Sequence, residues 1–391
     1  MIRDVIDIKN KNAKIITDLI RFDDTLTKRD ISVKTGLSIT TVSNICAELA
    51  QIGIVSNKKT INSRVGRNPV RVTFVHQNFL VVCIDFQILN VMKLAISTVR
   101  NQIIYSETYD ISTIDQPEEL AAFAKSVFDT VSECYDREVH FIGVGIAVPA
   151  IYDRFDGKLI SSSIDLFANV PLKEIFQKYF DIPVFIDNSS NFKAVSALTT
   201  TKLDNIVCLD ISLGVGTGIV CNGSLLRGKN GYGAEVAHIP IGDMSLQCPT
   251  CGAYGCVETE LLLERLLTYF PNRDVRKPLY DQWSDFVQYI YENQEKYEVL
   301  LTRIGTLVGK LVLILTNLFD PSLFIITGYI VDVFELIDKR VMEVARKQCD
   351  MAIKRGLTFQ VESYYQSNIF TGICDTMYEK WMPLEDVPNV R

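Results

Sequence analysis

The segment that decides the fold reads "GAEVAHIPIGDMSLQCPTCGAYGCVE", from Gly233 to Glu258. It holds three of the ten cysteines of the chain within nine residues, and one of only three histidines stands ten residues before the first of them. Zinc prefers thiolate and imidazole ligands in a tetrahedron. Together, His238, Cys248, Cys251 and Cys256 predict one zinc ion per chain. Four protein ligands leave no open position for water, so this Zn²⁺ would be structural.

The cysteines have two other interpretations: a redox-active pair, and three unrelated core residues. A redox pair would need neither His238 nor a third thiol, so the pattern favours metal. Gly252 and Gly255 would let the chain fold back to close the site. No secretory signal is recognisable at the N-terminus, which predicts a cytoplasmic protein with reduced thiols. The other seven cysteines are isolated, as small apolar core residues are.

Charge is distributed unevenly along the 391 residues. Residues 1–75 carry 13 basic and 7 acidic side chains, whereas the remainder carries 27 and 40. A basic N-terminal part on an acidic body predicts that this N-terminal part, the head, binds a polyanion. The length predicts two or three folding units. The most apolar stretch is interrupted by Lys310, Asp320 and Pro321 before it reaches membrane-spanning length, so no membrane contact is expected.

The basic head has the pattern of two helices joined by a tight turn. Thr27 or Lys28 opens the first helix, Gly36 ends it, and Ser38 caps the second. The second helix has apolar residues at the spacing of one buried face, namely Val42, Ile45, Cys46 and Leu49. Its short polar side chains suit base edges and phosphates, which is the layout of a recognition helix. The predicted DNA contacts on this helix are Ser38, Thr40, Thr41, Ser43 and Asn44.

Two strand-like ends around a basic middle follow the second helix. This pattern predicts a β-wing, and therefore a winged helix-turn-helix domain over residues 1–76. Basic side chains on a wing bind phosphate or enter the minor groove. The predicted contacts are Lys58, Lys59, Arg64 and Arg67. The alternative is a small helical protein-interaction domain with a solvated basic loop.

Beyond residue 79, runs of strands alternate with helices, and the alternation occurs twice. This predicts two α/β lobes that face each other. Five stretches of the chain match motifs of one protein family: "GLSITTVSNICAEL", "GRNP", "LGVGTGIV", "GAEVAHIPIG" and "CPTCGAYGCVE". They resemble the ROK family over nearly the full length. That family unites sugar-responsive repressors with bacterial sugar kinases.

The resemblance implies an actin-like, hexokinase-like (ribonuclease H-like) body of two α/β lobes. The first lobe is expected over residues 77–198, rejoined by a C-terminal helix at about 367–391. The second lobe, with the zinc site, is expected over residues 199–366. The family has one residue between its first two cysteines, whereas this chain has Pro249 and Thr250. That insertion puts the geometry of the loop in doubt, but not metal binding.

By the same resemblance, a sugar binds between the lobes. Carboxylates accept hydrogen bonds from neighbouring sugar hydroxyls, and one imidazole can serve a metal and a sugar through its two nitrogens. Ordinary surface charge is the alternative explanation for the two glutamates. The expected sugar contacts are Asn188, Asn191, Glu235, His238 and Glu258.

The kinase chemistry of the family is missing key residues in this chain. A sugar kinase needs a carboxylate to accept the hydroxyl proton as the oxygen attacks the phosphoryl group. The family's catalytic aspartate aligns with Ser189. The first phosphate loop, Asp-x-Gly-x-Thr in the family, reads "DFQIL" from Asp85 to Leu89. A larger residue stands in place of the glycine that would let the backbone approach a phosphate. No enzymatic activity is therefore expected.

The sequence therefore predicts a sugar-responsive DNA-binding transcriptional regulator that acts as a repressor. Its expected partners are a double-stranded DNA operator and a sugar or sugar-phosphate effector, bound by a homodimer or homotetramer. The alternative is an active ATP-dependent sugar kinase with an appended DNA-binding domain. A third possibility is a docking protein for a component of sugar transport.

Overall fold

The computed structural model describes residues 2–59, 70–136, 138–153, 156–162, 164–354, 356–363 and 368–386. Its N-terminal part consists of three helices and a pair of antiparallel strands. These elements are α1 (Ile2–Ile20), α2 (Lys28–Thr35), α3 (Ile39–Gln51), β1 (Val55–Lys59) and β2 (Val70–Phe74).

Local signals place the helices of this head. The Thr27 side chain accepts from the backbone of Asp30, and the Asp30 carboxylate accepts from the Thr27 backbone, so a capping box opens α2. Gly36 ends α2 with a φ of 72°, which glycine adopts without steric cost. Ser38 caps α3 by accepting from Thr41 N at 3.0 Å. The predicted caps are confirmed, and so is the buried face of α3, namely Val42, Ile45, Cys46 and Leu49.

The first lobe is built on a five-stranded sheet. Its central strand is antiparallel to one neighbour and parallel to the other. The sheet has the order β5-β4-β3-β6-β9, with β3 (Phe79–Asp85), β4 (Val91–Thr98), β5 (Ile103–Asp110), β6 (His140–Val148) and β9 (Val184–Asn188). A hairpin and three helices accompany it: β7 (Ala150–Asp153), β8 (Lys158–Ser162), α4 (Pro117–Ser132), α5 (Leu172–Tyr179) and α6 (Ser189–Thr201).

The second lobe repeats this strand arrangement. Its sheet has the order β12-β11-β10-β13-β14, with the same succession of antiparallel and parallel pairs. The strands are β10 (Ile206–Ile211), β11 (Val215–Cys221), β12 (Ser224–Leu225), β13 (Leu323–Thr327) and β14 (Thr358–Glu362). The remaining helices are α7 (Glu258–Leu261), α8 (Leu263–Leu267), α9 (Leu279–Glu292), α10 (Gln294–Phe319), α11 (Phe334–Lys354) and α12 (Ile369–Lys380). The prediction of two α/β lobes is confirmed.

Helix α6 is held between the lobes by backbone contacts that leave no room for side chains. A Cβ on Gly218 of β11 would collide with the Ser190 carbonyl, and one on Gly372 of α12 would collide with the Phe192 carbonyl. Glycine therefore allows α6 to lie directly against both neighbours. Because protein interiors are close-packed and incompressible, these elements are expected to move together.

The head and the first lobe share one apolar cluster. Phe74 of β2, Phe79 of β3 and Trp381 after α12 form an aromatic group, with ring centroids 6.0 Å, 6.3 Å and 5.3 Å apart. Ile16 of α1 and Ile373 of α12 belong to the same cluster. The head is therefore packed onto the body and not merely tethered to it.

One helix, α10, is long and apolar enough to cross a membrane by length and composition alone. The expectation that this run is too interrupted to reach that length is wrong, because the helix continues through Lys310. In its most apolar window, however, 56% of the residues are buried inside the protein. Gly305 and Gly309 let α10 pack closely against α11, as in the core of a soluble protein.

Gly372→Ala should destabilise the protein, although the same change at an exposed helical site usually stabilises a helix. The added methyl group would meet the Phe192 carbonyl, and overpacking typically costs about 1–3 kcal/mol. Glu379→Ala, at an exposed position of the same helix, is the control. Equal free energies of unfolding for both variants in urea titrations would contradict the close contact.

Candidate functional site

The side chains of His238, Cys248, Cys251 and Cys256 meet in one cluster. Their ligand atoms all lie within 4.8 Å of one another. His238 Nδ1 is 3.8 Å from Cys248 Sγ, and the sulfurs of Cys251 and Cys256 are 3.6 Å apart. A tetrahedron with metal–sulfur bonds of about 2.3 Å has edges of about 3.8 Å. The four residues could thus hold one metal ion.

The cluster depends on a tightly folded loop. The Cys248 N–H donates to the Ala253 carbonyl at 2.7 Å, and the Gly252 N–H donates to the Cys248 carbonyl at 2.9 Å. Gly252 and Gly255 have φ values of 75° and 77°. At Gly255 a Cβ would also collide with the sulfur of Met244. The two glycines singled out in the sequence are therefore where the chain reverses.

Two of the thiols differ in acidity. A hydrogen bond from the Ala253 backbone lowers the pKa of Cys251, while burial raises the pKa of Cys256 to about 12. Metal ligands must be deprotonated, so a divalent ion would supply the charge that holds the Cys256 thiolate.

A cleft between the lobes lies directly beside the cluster, and His238 lines it. Glu235 and Glu258 line the same cleft, as does Asn188 at the start of α6. Because Nδ1 faces the thiols, Nε2 is the nitrogen that remains for a ligand in the cleft. Four of the five predicted sugar contacts are therefore brought together.

Thr250, one of the two residues of the altered cysteine spacing, also lines the cleft. Its hydroxyl donates to Glu258 Oε2 at 3.2 Å. In the sequence, Thr250 is notable only as part of an insertion. The structure gives it a position among the candidate ligand-binding groups, where it orients the carboxylate of Glu258.

Glu235 lies in an environment that disfavours its charge. Burial, and secondarily the nearby carboxylate of Glu258, raise the pKa of Glu235 to about 7. Two close carboxylates with hydroxyl, amide and imidazole groups around them match the needs of a polyhydroxylated ligand.

Asn191 lies in an adjoining hollow and not in the main cleft. It lines that hollow together with Glu235 and Arg227. Asn191 Nδ2 donates to Asp187 Oδ1 at 2.8 Å, and Arg227 forms an ion pair with Asp187. Asp187 is thus neutralised by a guanidinium and faces this hollow.

Ser189 occupies the first position of α6 and lines the main cleft. It is 2% exposed, and its hydroxyl has no hydrogen-bond partner among the described residues. A neutral serine hydroxyl is too weak a base to accept a proton from another hydroxyl at neutral pH.

Gln87, in the altered first phosphate loop, reaches across to the second lobe. Its Nε2 donates to Asp210 Oδ2 at 3.2 Å. The same oxygen accepts from Lys193 Nζ at 2.7 Å, and Ser212 donates to the other at 2.6 Å. All of Gln87, Asp210 and Lys193 are buried. A buried network therefore joins the lobes where the resemblance expects phosphate.

The predicted DNA contacts on α3 lie on its solvent side. Ser38, Thr40 and Asn44 are exposed, and Thr41 and Ser43 are half-buried. Lys58 and Lys59 lie on β1, opposite Arg71 and Val70 of β2. The predicted contacts Arg64 and Arg67 fall outside the described residues.

Residues 83–374 match the ROK family. The chain belongs to this family. ROK relatives include the xylose repressor of Caldicellulosiruptor bescii, 24% identical over 383 residues, which span 93% of this chain and 94% of the relative.

Two solved ROK structures share the fold. A ROK family transcriptional regulator, described as a homologue of the E. coli MLC protein, has a TM-score of 0.77 at 19% identity and covers 97% of this chain and 99% of its own. The ROK hexokinase from Thermus thermophilus has a TM-score of 0.61 at 21% identity and covers 77% of this chain and 98% of its own. The α/β body therefore has the fold of ROK sugar kinases, as predicted.

Cys251→Ser should lose the metal, because a serine hydroxyl is a poor ligand for soft divalent ions. Elemental analysis of purified protein should give about one zinc per wild-type chain and almost none in the variant. Cys134→Ser, at another exposed cysteine, should keep the full metal content. Sugar binding is expected to weaken along with the loss of metal, since a bound metal would hold His238 beside the cleft. A variant with full metal content would refute the ligand set.

Glu235→Gln should stabilise the sugar-free protein at pH 8 and leave its stability nearly unchanged at pH 4, below the ordinary pKa of the carboxyl group. The raised pKa means that stability from the protonated carboxyl is present below the ordinary pKa and is lost as pH rises through about 7. The uncharged amide of the Glu235→Gln variant does not ionise, so the variant keeps the free energy of unfolding that the wild type loses. At about 1.4 kcal/mol per pKa unit, that loss amounts to roughly 1–3 kcal/mol.

The same variant should bind sugar roughly ten- to hundredfold more weakly, because a charged acceptor is lost. Melting temperatures at both pH values and calorimetric titration are the measurements, with the exposed Glu295→Gln as control. Equal melting temperatures of wild type and variant at pH 8 would count against the buried charge.

Proposed function

We propose that this ROK protein is a sugar-responsive, DNA-binding transcriptional repressor whose body binds a sugar without phosphorylating it. The observation that carries the proposal is Ser189, which lines the cleft where a kinase needs a carboxylate. Asp187 does not substitute for that base, because Arg227 engages it in the adjoining hollow.

The interlobe network supports the absence of phosphoryl transfer. Glycines at phosphate loops let backbone N–H groups approach the anion. Here the side chain of Gln87 takes that space and hydrogen-bonds to Asp210. An incoming phosphate would lie next to this carboxylate, whose charge repels it, while the Lys193 ammonium already pairs with Asp210.

The head is proposed to be a winged helix-turn-helix domain. Its support is the three-helix arrangement, the exposed polar start of α3 and the β1–β2 pair with its basic residues. In such domains the second helix of the motif enters the major groove. Ser38, Thr40, Thr41, Ser43 and Asn44 would contact DNA there, and the wing residues Lys58, Lys59, Arg64 and Arg67 would contact phosphate or the minor groove.

The ligand of the cleft is proposed to be a sugar or sugar phosphate, held by Asn188, Glu235, His238 and Glu258. Asn191 would contribute from the adjoining hollow. Zn²⁺, with one ion per chain, is the proposed metal because three thiolates and an imidazole suit it best. Pentoses deserve testing first, since a relative that spans almost the whole chain is a xylose repressor.

The protein is proposed to act as a homodimer or homotetramer in the cytoplasm, with one recognition helix in each half-site of an operator. Sugar would alter operator affinity by favouring one conformation of the two lobes. The coupling is reciprocal, so the operator must alter sugar affinity by the same factor.

The test combines three measurements on the purified full-length protein. D-xylose, D-glucose and an N-acetylhexosamine are screened by thermal shift, because a ligand at a hundred times its Kd stabilises by about 2.7 kcal/mol. Each sugar is then incubated with ATP, with a bacterial hexokinase as positive control, and no ADP above background is expected. Steady ADP production would overturn the proposal.

Operator binding is measured on a duplex that the protein selects from a random DNA library. The stabilising sugar should change the Kd for this duplex, and Asn44→Ala should weaken binding by roughly five- to a hundredfold. Thr130→Ala, in the exposed part of α4, is the control for the substitution. If none of the stabilising sugars changes the Kd for the selected duplex, the regulatory part of the proposal is wrong.

A further inference from the structure

We infer that the buried carboxylate of Asp375 couples the sugar cleft to the DNA-binding head, which makes Asp375 a positioning residue for the sugar response. The inference rests on the proposed function, since it concerns how sugar binding changes DNA binding. The supporting observation is that three parts of the fold contact the Asp375 side chain. They are α6, which begins at the cleft, the end of α1 in the head, and the turn between β4 and β5.

Helix α6 connects the cleft with Asp375. Asn188 caps its start by accepting from Ser190 N at 2.8 Å, and both residues line the cleft. Near its end the Thr199 hydroxyl donates to Asp375 Oδ2. With a rise of about 1.5 Å per residue, the helix spans about 15 Å between Ser189 and Thr199. One rigid element therefore touches both the proposed sugar contacts and the carboxylate.

The other oxygen of Asp375 belongs to the head and to the β4–β5 turn. Oδ1 accepts from Arg21 Nη2 at 2.6 Å and from Asn101 Nδ2 at 3.0 Å. The Arg21 guanidinium also donates to the Val99 carbonyl and lies 4.0 Å from the centre of the Tyr378 ring. The side chains of Arg21 and Asp375 are only 10% and 9% exposed, so solvent screens their attraction weakly.

Arg21 directly follows the last residue of α1, so its position determines where the C-terminal end of that helix lies. Helix α1 contacts α3, and Ile16 of α1 and Ile45 of α3 belong to the same apolar cluster. An ion pair between Lys9 and Glu48 joins the two helices on the surface. A displacement of Arg21 would thus change the orientation of the proposed recognition helix.

Displacements of α6 would reach Arg21 because the intervening contacts resist separation. Gly372 places α12 against the Phe192 carbonyl of α6, so the two helices cannot slide past each other freely. Separating the buried pair of Asp375 and Arg21 would leave an uncompensated charge, which is costly. When sugar shifts the start of α6, Arg21 is therefore expected to follow Asp375.

The alternative is that the contacts of Asp375 only attach the head to the body and do not transmit the sugar response. Thr199→Val distinguishes the two roles, because it removes the hydrogen bond from α6 and keeps the Arg21–Asp375 pair. The matched control is Thr200→Val. The Thr200 hydroxyl is next along the same helix and bonds to the Ser196 carbonyl of that helix at 2.9 Å.

Wild type and both variants are compared as full-length protein with D-xylose, D-glucose and an N-acetylhexosamine. In Thr199→Val, the Kd for sugar should stay within about twofold, while the factor by which sugar changes the operator Kd should shrink by about two- to thirtyfold. Amide hydrogen exchange in α1 should become faster in Thr199→Val, and Thr200→Val should behave as wild type in all three measurements.

The outcomes separate the inference from the proposed function. If α1 exchanges at the same rate in both variants, or the sugar effect on the operator is as large in Thr199→Val as in wild type, the coupling role of Asp375 is refuted. If the wild-type protein binds its selected duplex equally with and without every sugar, the proposed function fails instead. The hydrogen-exchange comparison still reports whether α6 and α1 are linked.

Discussion

The close backbone packing of α6 against its two neighbours is the constraint on which the rest of the molecule depends. Gly218 and Gly372 allow this packing, because any larger side chain would collide with a carbonyl of α6. The same helix begins at the cleft with Asn188 and ends beside Asp375. The wall of the cleft and the contact with Asp375 are therefore at two ends of one helix.

The metal cluster and the cleft are also joined through shared atoms. His238 faces the thiols with Nδ1 and lines the cleft, so whatever fixes its ring also fixes one wall of the cleft. Thr250 lies in the loop that carries the cysteines and donates to Glu258. A structural ion at this position would reduce the conformational freedom of ligand-binding groups before the ligand arrives, which lowers the entropic cost of binding.

The body has the fold of ROK sugar kinases, and a contact between the lobes occupies the region where the resemblance expects phosphate. Gln87 belongs to one lobe and Asp210 to the other, and the buried Lys193 neutralises the carboxylate between them. Such a contact suits a sensor better than an enzyme, because a sensor needs two defined arrangements of its lobes and an enzyme needs access for a nucleotide. Buried, hydrogen-bonded polar groups favour a defined arrangement of the lobes.

The sequence by itself determined what depends on neighbouring residues. The caps at Thr27, Gly36 and Ser38 and the spacing of the cysteine cluster could be predicted, because hydrogen bonds and ligand geometry over a few residues leave their mark on the pattern. Only the tertiary structure decided the rest. The contact of Gln87 with Asp210 and the junction at Asp375 join residues more than a hundred positions apart. No local pattern encodes such pairs, since strand order and the packing of α6 and α12 bring them together.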